Sequence, residues 1–479
     1  MSISRQFSTP LGSARRFLHT ARKTSMTKKK LVTYPLCAGQ QELWDMERRF
    51  PNRGLYNNNA AWRLPRDISP GALRRAADRV GARHPAWRST FHEGEEGPFQ
   101  AVHDGVLADF REISAAEGAD LEAILEEQAS RFVDLEHGLP VRWILISIRG
   151  QAPVLLLIAH HIVTDGWSAV TAITELGMFY QEETGGARAD LPLPARNYAE
   201  FIQEQADWLQ SPAGERERRF WREKLSGPLP MLDLPTDRPR PAEPSFRAEC
   251  FPFAIPAALQ RGMRGLAKDA GVRPLTPWLA AWFVFLRHFG GREDLLTTMP
   301  VAGRGQEYVG VLGFFVNIMP IRVRCSGADT FRAFLQHTAH ALDPVLFRQN
   351  RPLPPLSRDM DESTFLSLSQ TNFSWHDFNY FGRRDTPLVT AWGPMSDLWH
   401  VGGMAWELLR YWHEPEETDI CLWIMNLPDN QYGILQYASD LFDRATMERW
   451  SGHFLRLVEG TIKAPDNKIS QLPLPTETR

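Results

Sequence analysis

The chain has 479 residues, of which 43% are hydrophobic and 23% charged, with a formal net charge of −3; this balance is typical of a globular protein with one large core or two medium ones. Its four cysteines, Cys37, Cys250, Cys325 and Cys421, show no CxxC spacing. They argue against a zinc site or a disulfide framework and fit the reducing cytoplasm, where we expect the protein to reside. The longest apolar helix candidate, Pro277–Leu286, is far shorter than a membrane span, so we expect no membrane partner.

The first 30 residues differ from the rest in charge, because they hold eight Lys and Arg residues and no acid. Without those eight charges the remaining chain carries about −11. A transit peptide, a nucleic-acid-binding arm and a disordered extension ahead of a start at Met26 are all compatible with this composition. No basic and aromatic patch follows downstream, so we expect no nucleic-acid partner and favour a disordered extension over residues 1–30.

The folded part begins with two predicted helices. Residues 36–44, Leu-Cys-Ala-Gly-Gln-Gln-Glu-Leu-Trp, predict the first. Ser69 and Pro70 are a favourable N-cap and first residue for the second helix. Its apolar stripe consists of Leu73, Ala76, Ala77 and Val80. This helix leads into residues 83–91, Arg-His-Pro-Ala-Trp-Arg-Ser-Thr-Phe.

A hairpin ending in two histidines follows. The runs Val141–Ile148 and Val154–Ala159 are too short for typical helices and are separated by a turn that contains Gly150 and Pro153. The second run suits a strand buried on both faces. Side chains alternate along a strand, so we expect His160 and His161, which follow it, to point to opposite faces, only one of them into a cleft.

A turn at residues 164–166, Thr-Asp-Gly, precedes a predicted helix over Trp167–Glu183. Further helical sequence spans Tyr198–Leu225, with a break at Ser211-Pro212. Residues 227–244 contain six prolines and predict an extended connector. We therefore predict an N-terminal lobe over residues 31–196 and a C-terminal lobe over residues 197–479.

The second half repeats helices and strands without a histidine pair. The sequence predicts helices over Pro256–Asp269, Thr276–Phe289, Thr330–Phe347 and Ala445–Gly460. Strands are predicted over Leu295–Pro300 and around residues 371–373, in the segment Ser367–Phe378. Residues 300–304 read Pro-Val-Ala-Gly-Arg, and residues 313–322 read Gly-Phe-Phe-Val-Asn-Ile-Met-Pro-Ile-Arg.

The order of these segments resembles the condensation-domain superfamily of nonribosomal peptide synthetases, which includes free-standing enzymes. Residues 160–166 match its motif His-His-x-x-x-Asp-Gly, and residues 300–304 and 313–322 resemble Pro-x-x-x-Arg and Gly-x-Phe-x-Asn-x-x-x-x-Arg. Residues 83–91 resemble Arg-His-x-x-Leu-Arg-Thr-x-Phe, with Trp87 and Ser89 in place of Leu and Thr. The resemblance implies an α/β fold of two chloramphenicol-acetyltransferase-like lobes forming a V, with the active site at their junction and a tunnel from each side.

The resemblance also implies roles for residues of the motif. It makes His161 the catalytic imidazole, which takes or steers a proton as an amine or hydroxyl attacks a thioester, or only positions the nucleophile. His160 is expected to pack inward. Asp165, in a tight turn, suits an N-cap or a buried ion pair; the family pairs it with an arginine, and Arg83, Arg88 and Arg304 stay open. Gly166 would let the backbone approach the substrate, with nearby N–H groups facing an oxyanion.

Six further residues are candidates for lining the substrate tunnel: Trp167, Ser168, Phe315, Asn317, Asn372 and Trp375. The sequence has no phosphate-binding loop, dinucleotide fingerprint or metal-ligand spacing, so we expect no metal and no bound cofactor. Phosphopantetheine would instead arrive on an acyl-loaded carrier protein that acts in trans on a monomer.

Three functions remain open from the sequence. The first is acyl transfer from a carrier-bound thioester to an amine, either a small molecule or carrier-bound, giving an amide in natural-product biosynthesis. The second is ester formation on a hydroxyl acceptor by the same site. The third belongs to another class, a silent module that docks a carrier protein; the intact motif argues against it. His160 argues against the heterocyclising branch, whose motif begins with Asp.

Overall fold

A computed structural model describes residues 31–51, 54–352, 367–377, 398–409, 417–427 and 430–473. The predicted extension, residues 1–30, and Phe378 lie outside the described residues. The helices are α1 (Ala38–Arg49), α2 (Pro70–Arg83), α3 (Leu121–Ala129), α4 (Gly166–Glu183), α5 (Tyr198–Gln210), α6 (Pro212–Lys224), α7 (Ala257–Ala270), α8 (Thr276–Gly290), α9 (Phe331–Phe347) and α10 (Arg444–Lys463).

Strands alternate with these helices along the chain. They are β1 (Val32–Pro35), β2 (Asn57–Arg63), β3 (Ser89–His92), β4 (Phe99–Val102), β5 (Asp109–Ala115), β6 (Val141–Ile148), β7 (Val154–His160), β8 (Ala248–Ala254), β9 (Asp294–Val301), β10 (Asn317–Arg324), β11 (Thr371–Asp377), β12 (Leu398–Val401), β13 (Met404–Leu409), β14 (Ile420–Asn426) and β15 (Gln431–Ala438). Strands β1, β4 and β3 form a small sheet. The first large sheet has the order β12-β13-β2-β7-β6-β5, and the second has the order β10-β9-β11-β14-β15-β8.

The predicted hairpin is confirmed as β6 and β7, which pair antiparallel in the middle of the first sheet. Every residue of β7 is buried, as expected for a strand with both faces covered. Helix α2 begins after Ser69, whose Oγ accepts a hydrogen bond from the N–H of Ala72. The predicted apolar stripe of α2 is buried in the same core as β7. The repeated i, i+3, i+4 spacing of those side chains therefore places α2 on the sheet.

The second sheet repeats part of the first. The order β2-β7-β6-β5 recurs as β8-β15-β14-β11, with two antiparallel pairs followed by one parallel pair in both sheets. The N–H of His161 donates to the carbonyl of Tyr56, and the N–H of Ser439 donates to that of Arg247 in the matching place. These four strands thus have the same order and the same directions in both sheets, and Ser439 occupies the position equivalent to His161.

Residues beyond 197 do not all share the second core. Helix α5 buries Tyr198 and Phe201 in the core of the first sheet, together with Phe315. Strand β13 pairs with β2, so the hairpin β12–β13 extends the first sheet at its edge. The predicted division at residue 197 therefore does not separate the two cores, because sequence order does not show where a later strand finds its sheet.

Other predicted helices are confirmed within a few residues. A serine and a proline, Ser211 and Pro212, separate α5 from α6. The apolar helix α8 is buried almost throughout, and it packs in the second core against α9 and α10. Within the residues described, no helix is both long and apolar enough to cross a membrane.

Candidate active site

The backbone changes conformation between the two histidines. Strand β7 ends at His160, and a 3₁₀ turn, His161–Val163, follows it. Asp165 is the N-cap residue of α4, and its Oδ1 accepts a hydrogen bond from the N–H of Ser168 at 2.8 Å. The two rings do have different surroundings, but the turn separates them rather than the strand alternation that we expected.

His160 faces the interior, as predicted. Its side chain is 2% exposed, and its Nε2 lies 3.1 Å from Oε1 of Glu47. Its Nδ1 accepts a hydrogen bond from the N–H of Ile162 at 3.1 Å, so the ring proton is on Nε2. The Nε2–H group donates a hydrogen bond to Glu47. Gln40 of the same helix, α1, donates its amide N–H to the carbonyl of Ile162 at 2.8 Å. Helix α1 therefore fixes the 3₁₀ turn through two side chains.

Glu47 was not among the residues predicted for the site. Its position in the sequence gives a signal, because residues 40, 43, 44 and 47 recur at the spacing of one helix face, and Gln40, Leu43, Trp44 and Glu47 are all buried. A carboxylate on an otherwise buried helix face requires a partner in the interior. The sequence does not show that this partner is His160, 113 residues away.

His161 is half-buried and held at one nitrogen only. Its Nδ1 lies 2.6 Å from the carbonyl oxygen of Thr164. A carbonyl only accepts, so Nδ1 carries the proton and the neutral ring has its lone pair on Nε2. Among the residues that the structure describes, none hydrogen-bonds Nε2. The ring stands edge-on to Phe314, with centroids 5.1 Å apart.

The environment favours the neutral form of this imidazole. Burial lowers the pKa of His161 below its ordinary value of 6.5, because a desolvated charge is unfavourable. The hydrogen bond to Thr164 and the charge of Asp165 oppose that shift without reversing it. At neutral pH the ring is therefore mostly in its neutral form, with a lone pair on Nε2 that can accept a proton.

Asp165 forms a buried ion pair with Arg304. Arg304 Nη2 lies 3.1 Å from each carboxylate oxygen of Asp165, and the side chains are 5% and 1% exposed. The same nitrogen donates to Oγ of Ser168 at 3.0 Å. The N–H of Phe315 donates to Oδ2 of Asp165 at 3.2 Å. Both predicted roles of Asp165, the N-cap and the buried ion pair, are thus confirmed.

The loop that follows β9 wraps around this ion pair. Arg304 Nη1 donates to the carbonyls of Tyr308 and Val311, and its guanidinium lies 3.8 Å from the centroid of the Phe315 ring. Because Phe314 contacts the ring of His161, the histidine turn of the first sheet meets the Arg304 loop of the second. This contact defines the junction between the lobes.

The other two candidate arginines lie elsewhere. Arg83 pairs with Glu175 of α4 at 3.0 Å, and His84 lies 2.6 Å from the same carboxylate. Arg88 donates to the carbonyls of Gly81 and His103. Both arginines support the packing of the first lobe, and neither contacts Asp165.

Three of the predicted tunnel residues are buried in structural contacts. Ser168 is fully buried, and its Oγ donates to the carbonyl of Gly313 at 2.8 Å and accepts its N–H at 3.1 Å. Phe315 is 2% exposed among aromatic rings of the first core. Asn317 donates to the carbonyls of Gln349 and Arg351. These contacts hold the three side chains in the protein interior, and their role as tunnel residues stays a prediction.

The remaining candidates are more open. Trp167 and Asn372 are half-buried, whereas Trp375 packs against the second core. Gly166 is exposed as the first residue of α4, and a Cβ atom built on it would meet nothing within 4 Å. The space beside Gly166 is therefore free for a ligand atom. No group of three metal-ligating side chains occurs in the described part of the chain.

Comparison with known proteins shows the family. The family model of the condensation domain matches residues 30–479. The chain belongs to the condensation-domain family. A linear gramicidin synthase protein of Brevibacillus parabrevis is 31% identical over 454 residues, which cover 92% of this chain and 6% of that protein. Phosphinothricin tripeptide synthetase PhsC of Streptomyces viridochromogenes is 29% identical over 460 residues, which cover 92% of this chain and 40% of that protein. The chain thus spans less than half the length of these curated relatives.

Solved structures show the same fold. The X-domain from teicoplanin biosynthesis has a TM-score of 0.80 at 22% identity, covering 92% of this chain and 97% of its own; an X-domain has also been solved in complex with OxyB. SgcC5 of Streptomyces globisporus has a TM-score of 0.70 at 22% identity, covering 91% of this chain and 100% of its own. The predicted α/β fold of two chloramphenicol-acetyltransferase-like lobes is confirmed.

Proposed function

We propose that this condensation domain transfers an acyl group from a carrier-bound phosphopantetheinyl thioester to an amine, forming an amide. The observation that carries the proposal is the geometry of His161, whose proton lies on Nδ1 and whose Nε2 lone pair is left to accept another. The position of this ring at the junction of the lobes supports the proposal, and so does the chain's membership of a family of condensing domains.

The reaction needs one base and one leaving group. The amine nitrogen attacks the thioester carbonyl carbon, a C–N bond forms, and Nε2 of His161 accepts a proton from the nitrogen. The C–S bond then breaks, and the sulfur takes the proton from the imidazolium and leaves as a thiol. The imidazolium that forms in between is stabilised by the carbonyl of Thr164 and by the charge of Asp165. The open space beside Gly166 would admit the carbonyl oxygen near the N-terminus of α4.

No tightly bound cofactor takes part in this scheme. Phosphopantetheine enters as part of the donor substrate, on a carrier protein that acts in trans. A hydroxyl acceptor would lose its proton to the same nitrogen and give an ester, so the site chemistry serves both products.

Mass spectrometry of the products tests the proposal. The protein is incubated with a set of acyl-loaded carrier proteins and with paired amine and alcohol acceptors of matched shape. Amide product from the wild type, and a large loss in folded His161→Ala, would support amide formation. Ester product alone would favour the hydroxyl acceptor. Equal product from both proteins would remove His161 from the mechanism.

A second candidate function is a docking module without catalysis. The likeness to an X-domain solved in complex with OxyB favours it, because that complex shows this fold binding another protein. Such a module would bind carrier proteins without forming product, and His161→Ala would bind them as tightly as the wild type. A binding titration beside the product assay separates the two functions.

A further inference from the structure

The ring of Phe314 contacts both the imidazole of His161 and the start of helix α1. It is 5% exposed, and it stands edge-on to His161, with the two planes 87° apart. Gly39 is the second residue of α1, and a Cβ atom built on it would lie 2.6 Å from Cε1 of Phe314. The phenyl ring therefore fits beside the histidine because residue 39 has no side chain.

The backbone around Phe314 is held by the first lobe. The carbonyl of Phe314 accepts a hydrogen bond from the hydroxyl of Tyr198 at 2.8 Å. The preceding residue, Gly313, exchanges two hydrogen bonds with Oγ of Ser168, and the N–H of the following residue donates to Asp165. Three consecutive residues are thus tied to α4, its N-cap and α5. The phenyl ring has a fixed place relative to the histidine turn.

His161 has little else to hold its ring. Among the residues that the structure describes, its one side-chain hydrogen bond runs from Nδ1 to the carbonyl of Thr164. A ring held at a single atom can still turn about that bond, and turning moves Nε2. Because a misplacement of about 1 Å can cost about 10²-fold in rate, the contact with Phe314 matters for the chemistry at Nε2.

This phenyl ring also limits the access of water to the imidazole. Burial is the main cause that lowers the pKa of His161, and the charged or titratable groups acting on it are Asp165 and His160. Near the phenyl ring, Sγ of Cys37 lies 3.5 Å from the hydroxyl of Tyr198. Burial raises the pKa of both groups, so both are neutral at pH 7. An apolar replacement of the ring therefore changes the cover of the imidazole without changing its charged neighbours.

We propose that Phe314 is a positioning residue for His161: its ring, admitted by Gly39, fixes the plane of the imidazole and shields it from water. This inference rests on the proposed function, in which Nε2 of His161 accepts a proton from the acceptor. Phe314 has no proton to transfer, so it acts only through the imidazole. Its removal should therefore change properties of His161 that a loss of stability alone would leave unchanged.

Two measurements on the full-length protein test the proposal. NMR titration of protein labelled with ¹³C at the histidine Cε1 atoms gives the pKa of His161 without any substrate, and His161→Gln identifies its signal. The second measurement is the single-turnover rate with the acyl-loaded carrier protein that gives product in the mass-spectrometry assay. At pH 8 the imidazole is neutral in every variant, so this rate reports the position of the ring rather than its charge.

Phe314→Ala should slow the transfer at pH 8 about tenfold or more. It should also bring the pKa of His161 closer to 6.5, because water enters the space beside a polar ring. Phe314→Leu retains most of the apolar cover, and its rate should stay within about threefold of the wild type. Circular dichroism checks that each variant is folded.

Gly39→Ala displaces the phenyl ring without replacing it, so it should also slow the transfer about tenfold. In a protein that already carries Phe314→Ala, it should have no further effect, because the atoms it would displace are gone. Gly71→Ala is the matched control at the second residue of α2. That glycine is exposed, and only Nη1 of Arg75 lies within 4 Å of its Cβ position, so the rate should not change.

Gly39→Ala decides the test if Phe314→Ala does not fold. Wild-type rates in the folded variants would overturn the positioning role. A loss of rate in Gly39→Ala that persists in full beside Phe314→Ala would overturn it too, because the glycine would then act without the phenyl ring. If no protein forms product, the wild type included, the proposed function fails and the pKa of His161 decides: a shift in the variants supports positioning, and an unchanged value overturns it.

Discussion

Arg304 Nη2 lies 3.1 Å from both carboxylate oxygens of Asp165, and the two side chains are almost completely buried. This contact joins the first residue ahead of helix α4 to the loop that follows strand β9. Neither charge reaches bulk water, so each depends on the other for solvation. The ion pair therefore links the lobes directly behind the turn that carries His161.

Removing one partner of this pair should destabilise the protein strongly. Asp165→Asn leaves a buried guanidinium uncompensated, and we expect a loss of about 3–5 kcal/mol in the free energy of unfolding, measured with urea. Replacing both residues, as in Asp165→Leu with Arg304→Met, should cost less than either single change. Arg74→Met, in the exposed pair Arg74–Glu112, should cost under about 1 kcal/mol. Similar losses in Asp165→Asn and Arg74→Met would contradict the buried link.

Glu47 should influence catalysis through His160. Glu47→Ala leaves the N–H of His160 buried without its acceptor, so we expect a loss of about 1–3 kcal/mol in stability and a lower kcat because the 3₁₀ turn is less well held. Glu47→Gln retains an acceptor oxygen and should recover most of both. Urea unfolding and steady-state kinetics measure the two effects. Full activity in a folded Glu47→Ala protein would show that the turn does not need this contact.

The sequence predicted much of the fold because local signals were strong. The hairpin β6–β7, the capped start of α2 and the break between α5 and α6 each depend on residues close together in the chain. Strand β2 was missed because it begins with three asparagines, which have low strand propensity. Strand β13 belongs to the first sheet although it follows β2 by more than 300 residues, and no local pattern encodes that pairing.

The sequence predicted which residues belong to the site more accurately than it predicted the contacts of those residues. The motif spacing singled out His160, His161 and Asp165, but the choice among three arginines for Asp165 depended on how the lobes meet. Ser168 and Phe315 were predicted as tunnel residues, and the structure adds that both contact Arg304 of the ion pair. The sequence shows which residues of a loop are polar or aromatic. It does not show which of these side chains are covered by the opposite lobe.

The hairpin β12–β13 should depend on a glycine in α4. A Cβ atom on Gly177 would lie 2.2 Å from Cγ1 of Val401 and 3.0 Å from the backbone nitrogen of Gly402. Gly177→Ala should therefore cost about 1–3 kcal/mol through overpacking. Gly265→Ala is the matched control on α7, because no atom lies within 4 Å of its Cβ position, and it should stabilise by up to about 1 kcal/mol. Thermal unfolding measures the stability of both variants. Equal changes in stability would contradict the close contact between Gly177 and the hairpin.

Stability should fall with acidification through two histidines. Burial lowers the folded-state pKa of His161 below 6.5 and that of His376 to about 4. At these two residues the unfolded chain therefore binds more protons than the folded one below pH 6.5, so their contribution to the free energy of unfolding decreases as the pH falls from about 6.5 toward 4. His376→Gln should have a shallower slope between pH 6.5 and 5 in urea titrations. An unchanged slope would show that this ring titrates normally.

The most direct test of the catalytic role of His161 is the single-turnover rate of acyl transfer from a loaded carrier protein. We expect His161→Gln, with the fold and carrier binding retained, to be slower than the wild type by about 10²–10⁴-fold, the usual contribution of a general base. His137→Gln, which changes an exposed histidine with 77% of its side chain accessible, should match the wild type. A His161→Gln rate within twofold of the wild type would contradict proton transfer at Nε2.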